Sequence, residues 1–169
     1  HYEADGKVSF YYDGDFNNYD ATDNSFNNNG IIAGDRTPQA HAWEVKRQYQ
    51  EIWTEAVDLM AGKVEVYNEK FFSCLAPYAM EWELQQDGVV TKAGRIDKLD
   101  VAPQQRKQFV LGYTADDICP KAKEVTLNIR YVVTEKQPLL NIGHVVAEQQ
   151  HIIKEYDTNS KGNGNVNYT

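Results

Sequence analysis

The chain has 169 residues, room for one full domain and an appendage. Its 25 acidic against 17 basic side chains give a formal charge of −8, and no basic cluster stands ready to neutralise phosphates, which argues against a nucleic-acid partner or an anionic membrane surface. No apolar run approaches the roughly 20 residues of a membrane span, and the opening His1-Tyr2-Glu3-Ala4-Asp5 lacks the basic and apolar regions of a signal peptide.

Residues 13–30 are loaded with Asn, Asp and Gly, which tolerate left-handed backbone or cap their own turns, so a long irregular loop is expected there. Such a loop is uncommon in a compact domain unless it serves a site or wraps a neighbour. Asp13-Gly14-Asp15-Phe16-Asn17 begins like a calcium loop, but Asn18 stands where the sharp-turn glycine belongs and Asn24 where a bidentate Glu belongs, so calcium is not expected. Residues 37–49 carry a helix signal: Thr37 can cap free N–H groups and Pro38 fits the first helical position. Ala42, Val45 and Tyr49 share one face of that short helix, leaving Glu44, Lys46, Arg47 and Gln48 wet.

From about residue 51 the period changes to two. Val64 and Val66 alternate with Lys63 and Glu65; Trp82 and Leu84 alternate with Glu81, Glu83 and Gln85; Val125, Leu127, Ile129, Tyr131 and Val133 make the longest row. Ala61-Gly62, Asp87-Gly88, Pro103-Gln104 and Gln137-Pro138 punctuate these runs as turns, Asp87-Gly88 being the clearest hairpin signal. A last strand is expected over residues 145–153, and the small polar residues 158–169 have the composition of a linker or frayed terminus. The pattern is that of an all-β chain, an immunoglobulin- or fibronectin III-like β-sandwich of roughly seven strands preceded by an irregular loop and a short helix.

Candidate chemistry is sparse. Cys74 and Cys119 lack the spacing of a zinc or redox site and are expected to be small, partly buried thiols. His41, His144 and His151 are widely separated, and no Ser or Cys has the neighbours of an activated nucleophile. Glu44 falls on the helix, and Glu65, Glu81 and Glu83 on polar strand faces, where solvated surface explains them. Trp53, Trp82, Tyr67, Tyr78 and Tyr131 could stack on sugar faces, although Trp82 and Tyr131 sit at inward positions. Asn167-Tyr168-Thr169 matches a glycosylation sequon of little weight at a terminus. Sandwiches serve as spacers, carbohydrate-binding modules, adhesion units and enzyme accessory domains, so the fold leaves function open.

The run Asn29-Gly30-Ile31-Ile32-Ala33-Gly34-Asp35-Arg36-Thr37-Pro38, followed by Trp43-Glu44-Val45-Lys46, resembles the segment of a family 2 β-galactosidase where the catalytic barrel hands over to the next β-sandwich. Gly14-Asp15-Phe16, then Asp23 with Phe26, precede it; Phe71-Phe72, Trp82, Asp87-Gly88, Leu99-Asp100-Val101-Ala102-Pro103, and Gly143-His144 with Ala147 and Gln150 follow. The chain departs from the family where Gln39-Ala40-His41-Ala42 replaces His-Pro-Ala-Leu, and where Glu148 and His151 replace aromatic residues.

The resemblance implies that residues 1–50 are the end of a (β/α)8 barrel, residues 51–157 the next, fourth, domain, and residues 158–169 a linker or tail. It implies a parent enzyme that is a retaining glycosidase acting on β-galactosides, with both catalytic glutamates upstream of His1, so the isolated chain is expected to be inactive and to hold no catalytic residue. Phe26, through its backbone carbonyl, and Asn29, through its amide oxygen, match positions of a sodium site on the substrate rim; the other ligands lie outside the chain, and no metal is expected on the fragment alone. The plainer reading is that Phe26 anchors the loop and Asn29-Gly30 makes a turn. Magnesium is a further cofactor open to the parent. The partners implied are other domains of the same polypeptide, the galactoside substrate and, in the parent, further subunits; the compartment, bacterial cytoplasm or periplasm, is left open. The alternative is a free-standing carbohydrate-binding or adhesion module.

Overall fold

The computed structural model describes residues 2–4, 6–21 and 30–156. It forms two compact units, His1–Tyr49 and Gln50–Thr169.

In the first unit β1 (Tyr2–Ala4) and β2 (Lys7–Ser9) pair antiparallel around Gly6, whose φ of 73° suits glycine. A 3-10 turn, Asp13–Phe16, follows. Asn17 then closes a turn on itself: its Oδ1 accepts the N–H groups of Tyr19 and Asp20 at 3.0 and 2.8 Å, and its Nδ2 donates to Asp20 Oδ2 at 2.7 Å. This is the side-chain capping that Asn-rich composition implies.

Helix α1 (Ala40–Gln48) starts later than its sequence signal, with Gln39 at the N-cap position. The hydroxyl of Thr37 is occupied elsewhere, donating to Asp35 Oδ1 at 2.6 Å while the Thr37 N–H donates to the same oxygen at 2.9 Å. Pro38 pairs with Ile32 in an isolated antiparallel bridge, which holds it extended rather than helical. Ala42 and Val45 are half-buried as the spacing implies, but Tyr49, at the C-cap, is exposed.

The second unit contains β3 (Ile52–Asp58), β4 (Lys63–Asn68), β5 (Tyr78–Gln86), β6 (Val89–Ile96), β7 (Arg106–Val110), β8 (Val125–Val133) and β9 (Val145–Lys154). They form two antiparallel sheets, β3-β4-β7 and β6-β5-β8-β9, so the all-β sandwich is observed. The inward rows read from the alternation, Val64 and Val66, Trp82 and Leu84, and Val125 to Val133 at every second place, all belong to one buried cluster. The rows work because one face of each strand loses water while the other keeps it.

Turn chemistry also follows the residues. Asp87 and Gly88, at φ 49° and 79°, close the β5–β6 hairpin, and Asp87 Oδ1 accepts the N–H groups of Lys123 and Glu124 at 2.7 and 2.9 Å. Gly94 lies opposite Trp82, where a Cβ would come within 2.5 Å of the indole. Between the open edges β3 and β9, glutamine side chains bridge the sheets: Glu148 N–H donates to Gln50 Oε1 at 3.1 Å, and Thr54 N–H donates to Gln149 Oε1.

Candidate functional site

Phe26 and Asn29, with Asp23 and Asn24, lie outside the described residues. The described part of the same motif is the tight loop that follows. Ala33 N–H donates to Thr37 O at 2.9 Å, Arg36 stands at φ 70°, and Gln39 N–H donates to Ile31 O at 3.0 Å. The hydrogen bonds from the Thr37 hydroxyl and N–H hold the Asp35 carboxyl below the usual carboxylate range. Asp-Arg-Thr-Pro thus specifies a self-contained turn. Among the described residues no group of three or more His, Cys, Asp or Glu side chains is placed to hold a metal ion.

The strand glutamates are more than solvated surface. On the outer face of the four-stranded sheet Glu81 accepts from Arg95 Nη1 at 2.5 Å and from Arg130 Nε at 2.7 Å, one guanidinium arriving from each neighbouring strand. Arg95 also reaches Asp97 at 2.7 Å, and Arg130 lies 3.8 Å from Glu83. Their partners raise both guanidinium pKa values, Asp97 first and Glu81 second for Arg95, Glu81 first for Arg130. On the outer face of the three-stranded sheet Arg106 bonds Glu55 at 2.7 Å and Glu65 at 3.4 Å and lies 4.5 Å above the Tyr67 ring. A carboxylate with both oxygens engaged by cations is in the opposite setting from the apolar pocket that makes a carboxyl a general acid.

Two concavities adjoin each other beside the β8–β9 connection. One, of about 270 Å³, is lined by Glu81, Arg95, Arg130, Val132, Val133, Ile142, Gly143 and Val145. The other, of about 490 Å³, is lined by Lys136, Gln137, Leu139, Leu140, Asn141 and Ile142. Neither has two facing carboxylates, which a retaining glycosidase needs about 5 Å apart.

The remaining candidates separate clearly. Tyr78, Trp82 and Tyr131 are core. Trp53 and Tyr67 are cross-strand neighbours on an outer face, where Trp53 Nε1 donates to Glu69 Oε2 at 2.6 Å and Tyr67 donates to Gln104 Oε1 at 3.2 Å. Both thiols, Cys74 and Cys119, are exposed, contrary to the expectation of partial burial. Each sits in a loop held by other groups: Asn68 Nδ2 donates to Ser73 O, and Gln86 Oε1 accepts Cys119 N–H. His41 and His144 are exposed, the latter in a turn at Gly143, φ 86°. His151 is half-buried with its Nε2 enclosed and unpartnered among the described residues, and burial lowers its pKa.

Asn68 and Gln86, which staple loops to the sandwich ends, were not singled out by the chemistry of their side chains. A signal existed: both continue inward rows, Val64-Val66-Asn68 and Leu84-Gln86, where a polar residue must find buried partners.

A family model described as "Beta-galactosidase, domain 4" matches residues 64–154, more than half of the chain. The chain belongs to this family. The domain 4 match begins inside β4 and runs to the last residue of β9, so it covers most of the sandwich. The chain is 33% identical over 109 residues to a β-galactosidase of Priestia megaterium, an alignment covering 64% of this chain and 10% of that protein. It is 34% identical over 107 residues to a β-galactosidase of Clostridium acetobutylicum, covering 63% and 11%. With one from Halalkalibacterium halodurans it shares 39% identity over 100 residues, 59% of this chain and 9% of that protein. The domain 4 chain thus spans about a tenth of the length of these relatives.

Proposed function

We propose that the chain is a non-catalytic segment of a β-galactosidase, an enzyme that in full length removes terminal non-reducing β-D-galactose residues with retention. The observation that carries this is the domain 4 match across β4 to β9 in a chain spanning about a tenth of its relatives. The sandwich acts as inter-domain scaffold; residues 1–50 end the catalytic barrel and residues 158–169 lead on as a linker. The two catalytic glutamates lie outside the chain. Its own strand carboxylates support this division, since Glu81, Glu55 and Glu65 are tied to arginines.

Phe26 and Asn29 contribute part of the substrate rim in this reading. A backbone carbonyl and an amide oxygen are neutral hard donors, which suit a monovalent cation such as sodium better than a divalent one. The remaining sodium ligands, and any magnesium, belong to the full-length enzyme, whose partners are the galactoside and, in an oligomer, further subunits.

The test has two parts. The full-length polypeptide hydrolyses a chromogenic β-galactoside whereas residues 1–169 alone do not; turnover by the isolated chain overturns the placement of the catalytic pair. In the full-length enzyme Asn29→Ala weakens sodium activation and galactoside affinity together, and an unchanged sodium response leaves Asn29 a turn residue.

A free-standing carbohydrate-binding module draws on Trp53 and Tyr67. It is the weaker reading, because Arg106 lies over the Tyr67 ring and the polar groups of both rings are engaged by Glu69 and Gln104 in the loops beside the sheet. Saturable binding of galactosides to the isolated chain, lost in Trp53→Ala, would restore it.

A further inference from the structure

Phe71 and Phe72, in the segment joining β4 to β5, are 72% and 96% exposed, with ring centroids 6.2 Å apart. A single exposed apolar side chain is ordinary, whereas contiguous exposed apolar surface marks interaction sites, and two adjacent rings make such surface. The segment that carries them is pinned from inside. The buried Asn68 donates through Nδ2 to Ser73 O at 2.9 Å and Val101 O at 3.1 Å, and its Oδ1 accepts Lys70 N–H at 3.1 Å. Gln104 adds a backbone N–H bond to Asn68 O at 2.9 Å and a side-chain bond from Nε2 to Glu69 O at 2.6 Å. Leu75, fully buried, closes the segment onto the core. The rings are therefore presented by a stapled loop, and a preorganised anchor loses little conformational entropy on docking.

The loop's place in the fold indicates what it meets. Glu69 N–H donates to Glu51 O at 2.9 Å, Lys70 Nζ pairs with Glu51 at 2.5 Å, and Ile52 pairs with Asn68. The phenylalanines thus stand at the end of the sandwich where the chain enters it. The ammonium of Lys70 is paired with the carboxylate of Glu51, and Glu69 accepts a hydrogen bond from Trp53 Nε1, so both polar side chains flanking the rings already have partners within the sandwich. Since the chain covers only 10% and 11% of two relatives, most of a full-length polypeptide is available to cover them.

We propose that Phe71 and Phe72 anchor the sandwich to the catalytic domain of the full-length β-galactosidase by filling an apolar pocket on that domain. The inference rests on the β-galactosidase reading above. Hydroxyl-radical footprinting at matched radical dose tests it on unaltered protein. In the 169-residue chain both rings are oxidised at the rate of exposed phenylalanine, and in the full-length enzyme oxidation at both is slower by about tenfold or more, as for side chains in an interface core. Equal rates in an active full-length enzyme overturn the anchor and leave the β-galactosidase reading standing. Protection that disappears on dilution to single subunits also overturns it, by assigning the rings to a second copy. Photoreactive benzoylphenylalanine in place of Phe72 then names the partner: the expected cross-link is to a catalytic-domain peptide of the same polypeptide, and a cross-link to any other domain overturns the proposal. A full-length polypeptide without a β-galactosidase catalytic domain removes the reading on which the anchor rests.

Discussion

Thr54 on β3 and Tyr131 on β8 meet hydroxyl to hydroxyl at 2.6 Å, so a hydrogen bond crosses the core between the two sheets. Both residues are buried, Tyr131 completely. Removing one partner strands the other without water, a cost of about 1–3 kcal/mol. Tyr131→Phe is therefore expected to lower urea stability by that amount, and the double variant Thr54→Val with Tyr131→Phe to recover part of it. Additive losses in the double-mutant cycle would show that the hydroxyls do not interact.

The same burial makes the sandwich alkali-sensitive. Desolvation pushes Tyr113 up to about 12 and Tyr131 higher still, whereas an unfolded tyrosine titrates near 10. With folded pKa values raised, the stabilising effect is complete below about pH 10 and is lost as pH rises from 10 toward 12. Denaturation midpoints followed across that window, together with tyrosinate absorbance, should show late ionisation coupled to unfolding.

His151 contributes to the acid side. Its folded pKa is lowered by burial, so the unfolded state binds a proton first and stability falls as pH drops below about 6.5. His151→Phe fills the place with a side chain that cannot titrate. Melting temperatures from pH 7.5 to 4.5 should decline less steeply in the variant; parallel curves would show that His151 contributes nothing to the acid limb.

Gly94 is required by Trp82. A Cβ at position 94 would meet three atoms of the indole within 2.8 Å, and the buried ring, itself 5.6 Å from Tyr113, has little room to withdraw. Overpacking of this kind costs about 1–3 kcal/mol. Gly94→Ala should show that loss in urea unfolding, while Gly88→Ala, whose Cβ meets nothing within 4 Å, should lose stability only through its left-handed backbone.

Glu81→Gln tests the outer ionic chain. Arg95 and Arg130 are 43% and 50% exposed at the side chain and remain hydrated when the carboxylate goes, so the expected loss is about 1 kcal/mol or less and shrinks with added salt. A larger, salt-independent loss would mean that Glu81 holds the strands by geometry and not by charge.

Much of the sandwich was legible in the residues because strand burial and turn chemistry are local. Period-two rows located β4, β5 and β8, and Asp87-Gly88 located the hairpin, since each depends on neighbours a few positions apart. The helix starts two residues later than its local signal because Asp35 takes the Thr37 hydroxyl and the Ile32 bridge takes Pro38. Glu81 read as solvated because its arginines come from 14 and 49 positions away. The thiols were placed too deep, since exposure in a loop follows from what staples the loop.

By itself the sequence determined which residues turn inward, where the chain reverses and which family's motifs it carries, because alternation and left-handed turn positions are written in short stretches of chain. Only the tertiary structure decided the sheet order β3-β4-β7 against β6-β5-β8-β9, the meeting of Thr54 with Tyr131, the arginine cover of the glutamates and the outward presentation of Phe71 and Phe72. These arise from packing between segments far apart in sequence, where competing partners, buried volume and access to water are settled together.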